Sequence, residues 1–277
     1  MLAPARHDLE ECVARIDAMK VFPVAAVRIL RVAADPDATL RAMVVAVCAD
    51  PVLAARVLTV ANSPLAGLRA PVSTVERAVA VLGLMGTRDV TMTALVGSVA
   101  PAVAPWGPLL HQHAQLTAHL SRALAQEVPT VDPAEAFVTG LLHDLGHQLL
   151  LAVDPEPTVT LLDTFYGRPL LLERAERLHF GFGHAGLSAA IMERWGLPDA
   201  VRAVVAAHHQ PPIVGEVSLS AVVLQVADDL ADAVARGGGV EEMLVCYERH
   251  AVSSLLGIPM WRVEALLAGA EEIIAEL

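Results

Sequence analysis

The chain has 277 residues, is 55% hydrophobic but only 4% aromatic, and carries a formal net charge of −12. That length suits one large domain or two smaller ones, and a core of Ala, Val and Leu favours close-packed helices. Lys20 is the sole lysine, which argues against a nucleic-acid partner; Cys12, Cys48 and Cys246 form no CxxC pair, which argues against a disulfide framework and for a reducing cytoplasm.

Apolar spacing predicts helices from the first residues onward. Leu9, Val13, Ile16 and Met19 mark the first, which Phe22-Pro23 ends, and the second runs over about Val24–Ala33. Leu40, Met43, Val44 and Val47 mark a third. Asp50-Pro51 starts a fourth, which stops at Asn62-Ser63-Pro64 before a Gly67 loop. Ser73 and Glu76 predict a capping box for a helix through Leu82, with Gly83 and Gly86 separating it from Thr87–Val99. Val90–Leu110 lacks charge, yet Pro101, Pro105 and Pro108 break it, so no membrane span is expected.

That proline-rich stretch is the expected boundary. Helices follow at about His111–Glu127, Asp132–Leu151, Thr158–Tyr166, Leu170–Phe180, His184–Trp195, Pro198–His208 and Ser218–Arg236. Gly237–Gly239 predicts a flexible joint, and Val240–Leu277 two further helices separated near Gly257-Ile258-Pro259. The resulting division is 1–104, 105–236 and 237–277, all-α throughout.

The central stretch is Asp132–Leu151. Asp132 reads as N-cap with Pro133 behind it, and Phe137, Leu141, Leu142, Leu145 and Leu149 cover a wide apolar face. His143-Asp144 interrupts that face, and such a buried pair needs a partner or a metal to offset its desolvation. His113, His147, His184, His208, His209 and Asp228 share the same helical region. Imidazole with carboxylate suits a first-row divalent ion (Fe, Mn, Zn, Co or Ni), and more than four such ligands without thiolate suit an octahedral or two-metal site. An aspartate beside a histidine can bridge two ions, and water acidified by metal is the usual nucleophile for phosphoester hydrolysis. Each residue also has a plainer reading: His143-Asp144 as a self-satisfied pair, His208-His209 as a C-terminal cap, and His184 as a loop histidine. Asp228 is expected inward and Asp229 solvated. His7, His111, His119, His179 and His250 are expected at the surface.

The order His113, His143-Asp144, Asp228 resembles the HD superfamily of metal-dependent phosphohydrolases, and His184 with His208-His209 resembles its HD-GYP branch, which cleaves cyclic di-GMP. The closer resemblance is to HDOD, the HD-related output domain of bacterial signalling proteins. It is carried by FPVAAVRIL (Phe22–Leu30), ADPVLAARVLTVANSPLAG (Ala49–Gly67), VSTVERAVAVLG (Val72–Gly83), AFVTGLLHDLG (Ala136–Gly146) and HAGLSAAIMERWGLP (His184–Pro198). It implies an N-terminal helical bundle (1–104) packed on an HD-like helical domain (105–236), with the last helices (237–277) packing on the HD-like part.

The resemblance also implies a regulatory role through contacts with other signalling proteins. The chain departs from HD-GYP enzymes where their lysine is replaced by His147 and their GYP loop by Gln210–Gly215. The alternative is a metal-dependent phosphohydrolase acting on a nucleotide or cyclic dinucleotide. Its ligands, for one or two ions, would be His113, His143, Asp144, His184, His208, His209 and Asp228, with His147 as candidate acid. A third reading is a receptor for a cyclic nucleotide, a small phosphorylated ligand whose phosphate Arg69, Arg88, Arg174 or Arg177 would grip.

Overall fold

A computed structural model describes residues 8–19, 24–35, 37–63, 71–99, 103–209, 218–236 and 238–276. His7, Phe22-Pro23, Pro64, Gly67, Arg69, Pro101, Gln210–Gly215 and Gly237, singled out above, lie outside them. The described residues are helical with no strand.

The N-terminal helices are α1 (Leu9–Ala18), α2 (Val24–Ala34), α3 (Leu40–Cys48), α4 (Pro51–Ala61) and α5 (Val75–Val99). Short polar side chains start them. Asp8 accepts from Glu10 N at 3.2 Å, Thr39 from Ala42 N at 3.2 Å, and Asp50 from Val52 N and Leu53 N at 2.8 and 3.2 Å. At the head of α5 the capping side chain is Thr74, which accepts from Arg77 N at 3.3 Å, rather than Ser73. Asn62 ends α4 by bonding across the following loop: its amide donates to Leu58 O and Val72 O and accepts from Val72 N. Gly83 (φ 69°, ψ −178°) bends α5, a conformation that needs glycine, while Gly86 continues the helix.

The remaining elements are α6 (Trp106–Ala125), α7 (Pro133–Leu142), α8 (Leu145–Val153), α9 (Pro155–Phe165), α10 (Pro169–His179), α11 (His184–Arg194), α12 (Asp199–Ala207), α13 (Leu219–Ala235) and α14 (Val240–Arg249). A 3₁₀ turn (Ser253–Leu256) leads to α15 (Met260–Glu276). One contiguous core joins Ile29, Met43, Val57 and Met92 to Leu110, Leu141, Leu149 and Ile191. A second lies on the other side of α6, where Leu116, Leu120 and Leu124 meet Val226 and Leu230 of α13, Met243 of α14 and Val263 of α15. Thus α6 is the shared wall of both cores.

The expected single helix Asp132–Leu151 is two helices, broken at the polar pair. Asp132 caps α7 as expected, accepting from Ala134 N at 2.7 Å. Asp144 (φ −100°, ψ 17°) leaves the helical ladder, and His147 N donates to Asp144 O. Ser188 of α11 takes over groups at the break, since Gly146 N donates to its hydroxyl (2.8 Å) and that hydroxyl donates to His143 O (2.9 Å). A Cβ on Gly146 would stand 2.3 Å from His184 O, so only glycine lets α8 and α11 meet this closely.

Val75–Val99 and Pro133–Val153 have the length and hydropathy of membrane spans. The first is bent and carries buried Arg88 and Asp89; the second is 89% buried and interrupted at Asp144. Both pack against neighbouring helices of the fold.

Several surface expectations are corrected. His179 is buried against Phe180, and His119 is half-buried with its ring edge-on to Phe137 at 5.3 Å. His111 is half-buried too, because α6 starts at Trp106 and brings it against Gly97 of α5. His250 is half-buried and pairs with Asp229 at 2.9 Å. Arg88 is no phosphate grip: Asp89 and Ala134 O hold its guanidinium in the interior. Arg177 pairs with Glu173 at 2.7 Å.

Candidate metal centre

The break between α7 and α8 presents His143 and Asp144 to the middle of the second half of the molecule. His113 comes from the centre of α6, His147 from the first turn of α8, and His184 from the first position of α11. His208 caps the C-terminus of α12 with His209 next to it, and Asp228 is on the inner face of α13. The structure brings all eight side chains together; His209 is half-buried and the others are buried.

Three of the imidazoles have their protons placed by their surroundings. His143 Nδ1 donates to Gly140 O at 2.7 Å, and His208 Nδ1 donates to Val205 O at 2.6 Å. His184 Nδ1 stands 2.7 Å from Glu176 Oε2, which also accepts from the His184 backbone N at 2.8 Å. Each ring in that tautomer turns a bare Nε2 lone pair inward, as histidine ligands of metals do.

These lone pairs converge on Asp144 from two sides. His184 Nε2 and His208 Nε2 lie 3.3 and 3.6 Å from Oδ1, with His209 Nε2 2.9 Å from His184 Nε2. His143 Nε2 and His113 Nε2 lie 3.4 and 3.8 Å from Oδ2, and both approach Asp228 Oδ1, at 3.3 and 3.0 Å. Asp144 Oδ1 and His208 Nε2 are buried with no hydrogen-bond partner. Such orphaned atoms are costly without a cation between them. The donor set therefore fits a divalent ion: nitrogen and oxygen donors only, with Asp144, His184, His208 and His209 in one group and His113, His143 and Asp228 in another. Asp144 Oδ2 reaches toward the second group, at 3.4 Å from His143 Nε2.

Electrostatics follow the same division. Burial alone would raise the Asp144 and Asp228 carboxyls, but neighbouring imidazoles, His143 foremost, hold both well below the usual carboxylate range. Burial would lower His143, yet Asp144 and Asp228 hold it well above an ordinary imidazole. Burial also opposes charge on His147, but Asp144 and Glu176 hold it up at about 10. His209, beside His208 and His184, is pushed by burial down to about 2 and stays neutral.

Sequence reading missed Glu173, Glu176 and Asp232. Glu173 and Glu176 of α10 are buried against His184, whose Nδ1 lies 3.2 Å from Glu173 Oε2. In sequence, Glu173 with Arg177 four residues on looks like a solvated helix face; the burial of Leu172, Glu173, Glu176 and His179 along α10 emerges only from its packing. Asp232, one turn past Asp228, stands 3.8 Å from His113 Nδ1, and burial pushes its carboxyl up to about 6.

The chain is an all-α fold with a buried histidine–aspartate pocket assembled from six helices. More narrowly, the chain belongs to the HDOD family, whose domain profile matches residues 19–211. Two solved structures share the fold. A protein named as a candidate phosphohydrolase from Shewanella amazonensis SB2B is 23% identical (TM-score 0.72), with 94% of this chain and 93% of that one covered. An HDOD domain protein with unknown function from Geobacter sulfurreducens is 24% identical (TM-score 0.69), with 97% and 96% covered. An uncharacterized protein of Treponema pallidum (strain Nichols) is 27% identical over 201 residues, which are 72% of this chain but only 39% of that protein.

Proposed function

We propose that the chain is a regulatory HDOD module of a cytoplasmic signalling system, acting through contact with other signalling proteins. Its HD-like half would hold one or two divalent transition ions (Fe, Mn, Zn, Co or Ni) in the pocket around Asp144. One observation carries the metal part: His143, His184 and His208 have Nδ1 committed to fixed acceptors and Nε2 aimed at Asp144. An ion bound there would supply a Lewis acid and a fixed positive charge.

The regulatory part is supported by family membership and by His147. A general acid must present a proton to a leaving oxygen. His147 instead faces Asp144 with Nδ1 (3.3 Å) and Glu176 with Nε2 (2.8 Å), and is buried under the stacked ring of His184. The acidic chain, with net charge −12, suits neither a nucleic-acid backbone nor an anionic membrane surface.

The second reading, a metal-dependent phosphohydrolase acting on a nucleotide or cyclic dinucleotide, is favoured by the completeness of the ligand set, His113 included. One experiment separates them. Purified protein is analysed for transition metals and assayed with bis(p-nitrophenyl) phosphate. The regulatory reading, with its metal part, expects bound metal and no turnover above background. Metal-dependent turnover that His143→Ala abolishes would establish the hydrolase instead, and protein without metal would end the hydrolase reading and the metal part of the first.

A further inference from the structure

Glu176 is a buried carboxylate on α10, outside the set that sequence reading assigned to metal, and it divides its two oxygens between two rings. Oε2 faces His184 Nδ1 at 2.7 Å, and Oε1 faces His147 Nε2 at 2.8 Å. Those rings lie stacked, centroids 3.8 Å apart and planes 28° from parallel. Their far nitrogens then reach opposite oxygens of Asp144: His184 Nε2 lies 3.3 Å from Oδ1, and His147 Nδ1 lies 3.3 Å from Oδ2.

Two donors about 2.1 Å from one ion, at octahedral to tetrahedral angles, stand roughly 3.0–3.4 Å apart. Both spacings fall in that range and beyond the usual length of an N–H···O bond. His143 Nε2, 3.4 Å from the same Oδ2, is spaced alike. Neither His147 nitrogen makes an aligned hydrogen bond, which leaves Nδ1 a buried, unpartnered donor atom beside Asp144. The Glu176 carboxylate 2.8 Å from Nε2 favours the tautomer with its proton on that side, a carboxylate–histidine pairing that orients ligands. The same carboxylate does this for His184 on the other side.

We infer that His147 is a further metal ligand, through Nδ1 on the Oδ2 side of Asp144, and that Glu176 is the positioning carboxylate that aligns His147 and His184 for the two sides at once. This rests on the metal-binding reading above. It replaces the acid role considered for His147 with a ligand role, and links the two ion positions through one side chain.

The test is zinc titration of metal-stripped full-length protein, followed by elemental analysis and by nitrogen-15 spectra of labelled histidines. In the wild type, zinc should move the His147 Nδ1 resonance into the coordinated range while Nε2 keeps its proton. His147→Gln should bind one zinc fewer, or bind its weaker zinc at least about tenfold less tightly. Glu176→Gln should weaken both positions by about 10–100-fold. If wild-type protein takes up zinc while His147 Nδ1 keeps a proton, the inference is overturned and the metal-binding reading stands. If the wild type takes up no zinc, both fall. The wild-type spectra decide even where a variant fails to fold.

Discussion

Two buried polar clusters lie on opposite faces of the α6–α7 pair, and they solve the same problem differently. At the junction with the N-terminal helices, Asp89 Oδ1 accepts from Arg88 Nε and Nη2 at 3.0 and 2.7 Å, and Oδ2 accepts from Arg122. Arg88 also donates to Ala134 O at 2.8 Å, and the Arg122 guanidinium lies 4.0 Å over the Phe137 ring. Asp89 is thus satisfied within the protein, and the cluster is closed. Around Asp144, by contrast, imidazole lone pairs face a carboxylate and one another, and Asp144 Oδ1 and His208 Nε2 have no hydrogen-bond partner. Buried charge that is fully paired serves structure; buried charge left open at its centre serves a ligand.

The sharpest way to break this contrast is to remove each cluster's central acid. Asp144→Ala takes away the one residue shared by both sides of the pocket and should reduce bound metal by more than about 100-fold, read by elemental analysis after dialysis. Asp89→Ala should leave metal content per folded chain unchanged. It strands the buried Arg88, and the expected cost is about 3–5 kcal/mol in urea-induced unfolding. A metal-depleted Asp89 variant of native stability would invert the roles assigned here.

Chelation gives a smaller, directional effect. Because an ion binds the folded pocket and not the unfolded chain, a chelator should lower the wild-type melting temperature by several degrees. The Asp144→Ala protein should show no such shift, and an equal shift in both would place the metal elsewhere.

The smallest effect concerns pH. Protons compete with metal for imidazole nitrogen, and His143 is held well above the ordinary imidazole value in the metal-free pocket. Metal affinity should therefore fall as pH is lowered from 8 to 6, and less steeply in His143→Ala, where the remaining imidazoles still bind protons.

Much of this was legible in the chain itself. Proline and aspartate at Asp50-Pro51 and Asp132-Pro133 marked helix starts because a capping carboxylate and a missing N–H act locally. His113, Asp144 and Asp228 were found because a polar group in an apolar helix pattern stands out by composition alone. The break at Asp144 was not legible, because Ser188, which bonds across it, is more than forty residues away. Glu176 was missed for a similar reason: beside Arg174 and Arg177 it reads as surface, and only the packing of α10 against α11 turns it inward. Arg88 failed in the opposite sense, since its partner Asp89 is adjacent in sequence and Arg122 distant.

The central claim is that side chains from separate helices meet to hold an ion at Asp144. Anomalous diffraction from crystals of metal-supplemented wild-type protein, collected on both sides of the absorption edge of the bound element, tests it most directly. The account predicts a peak within coordination distance of an Asp144 carboxylate oxygen and at least two of the imidazoles around it. Crystals of metal-supplemented protein with no anomalous peak in that pocket would contradict it.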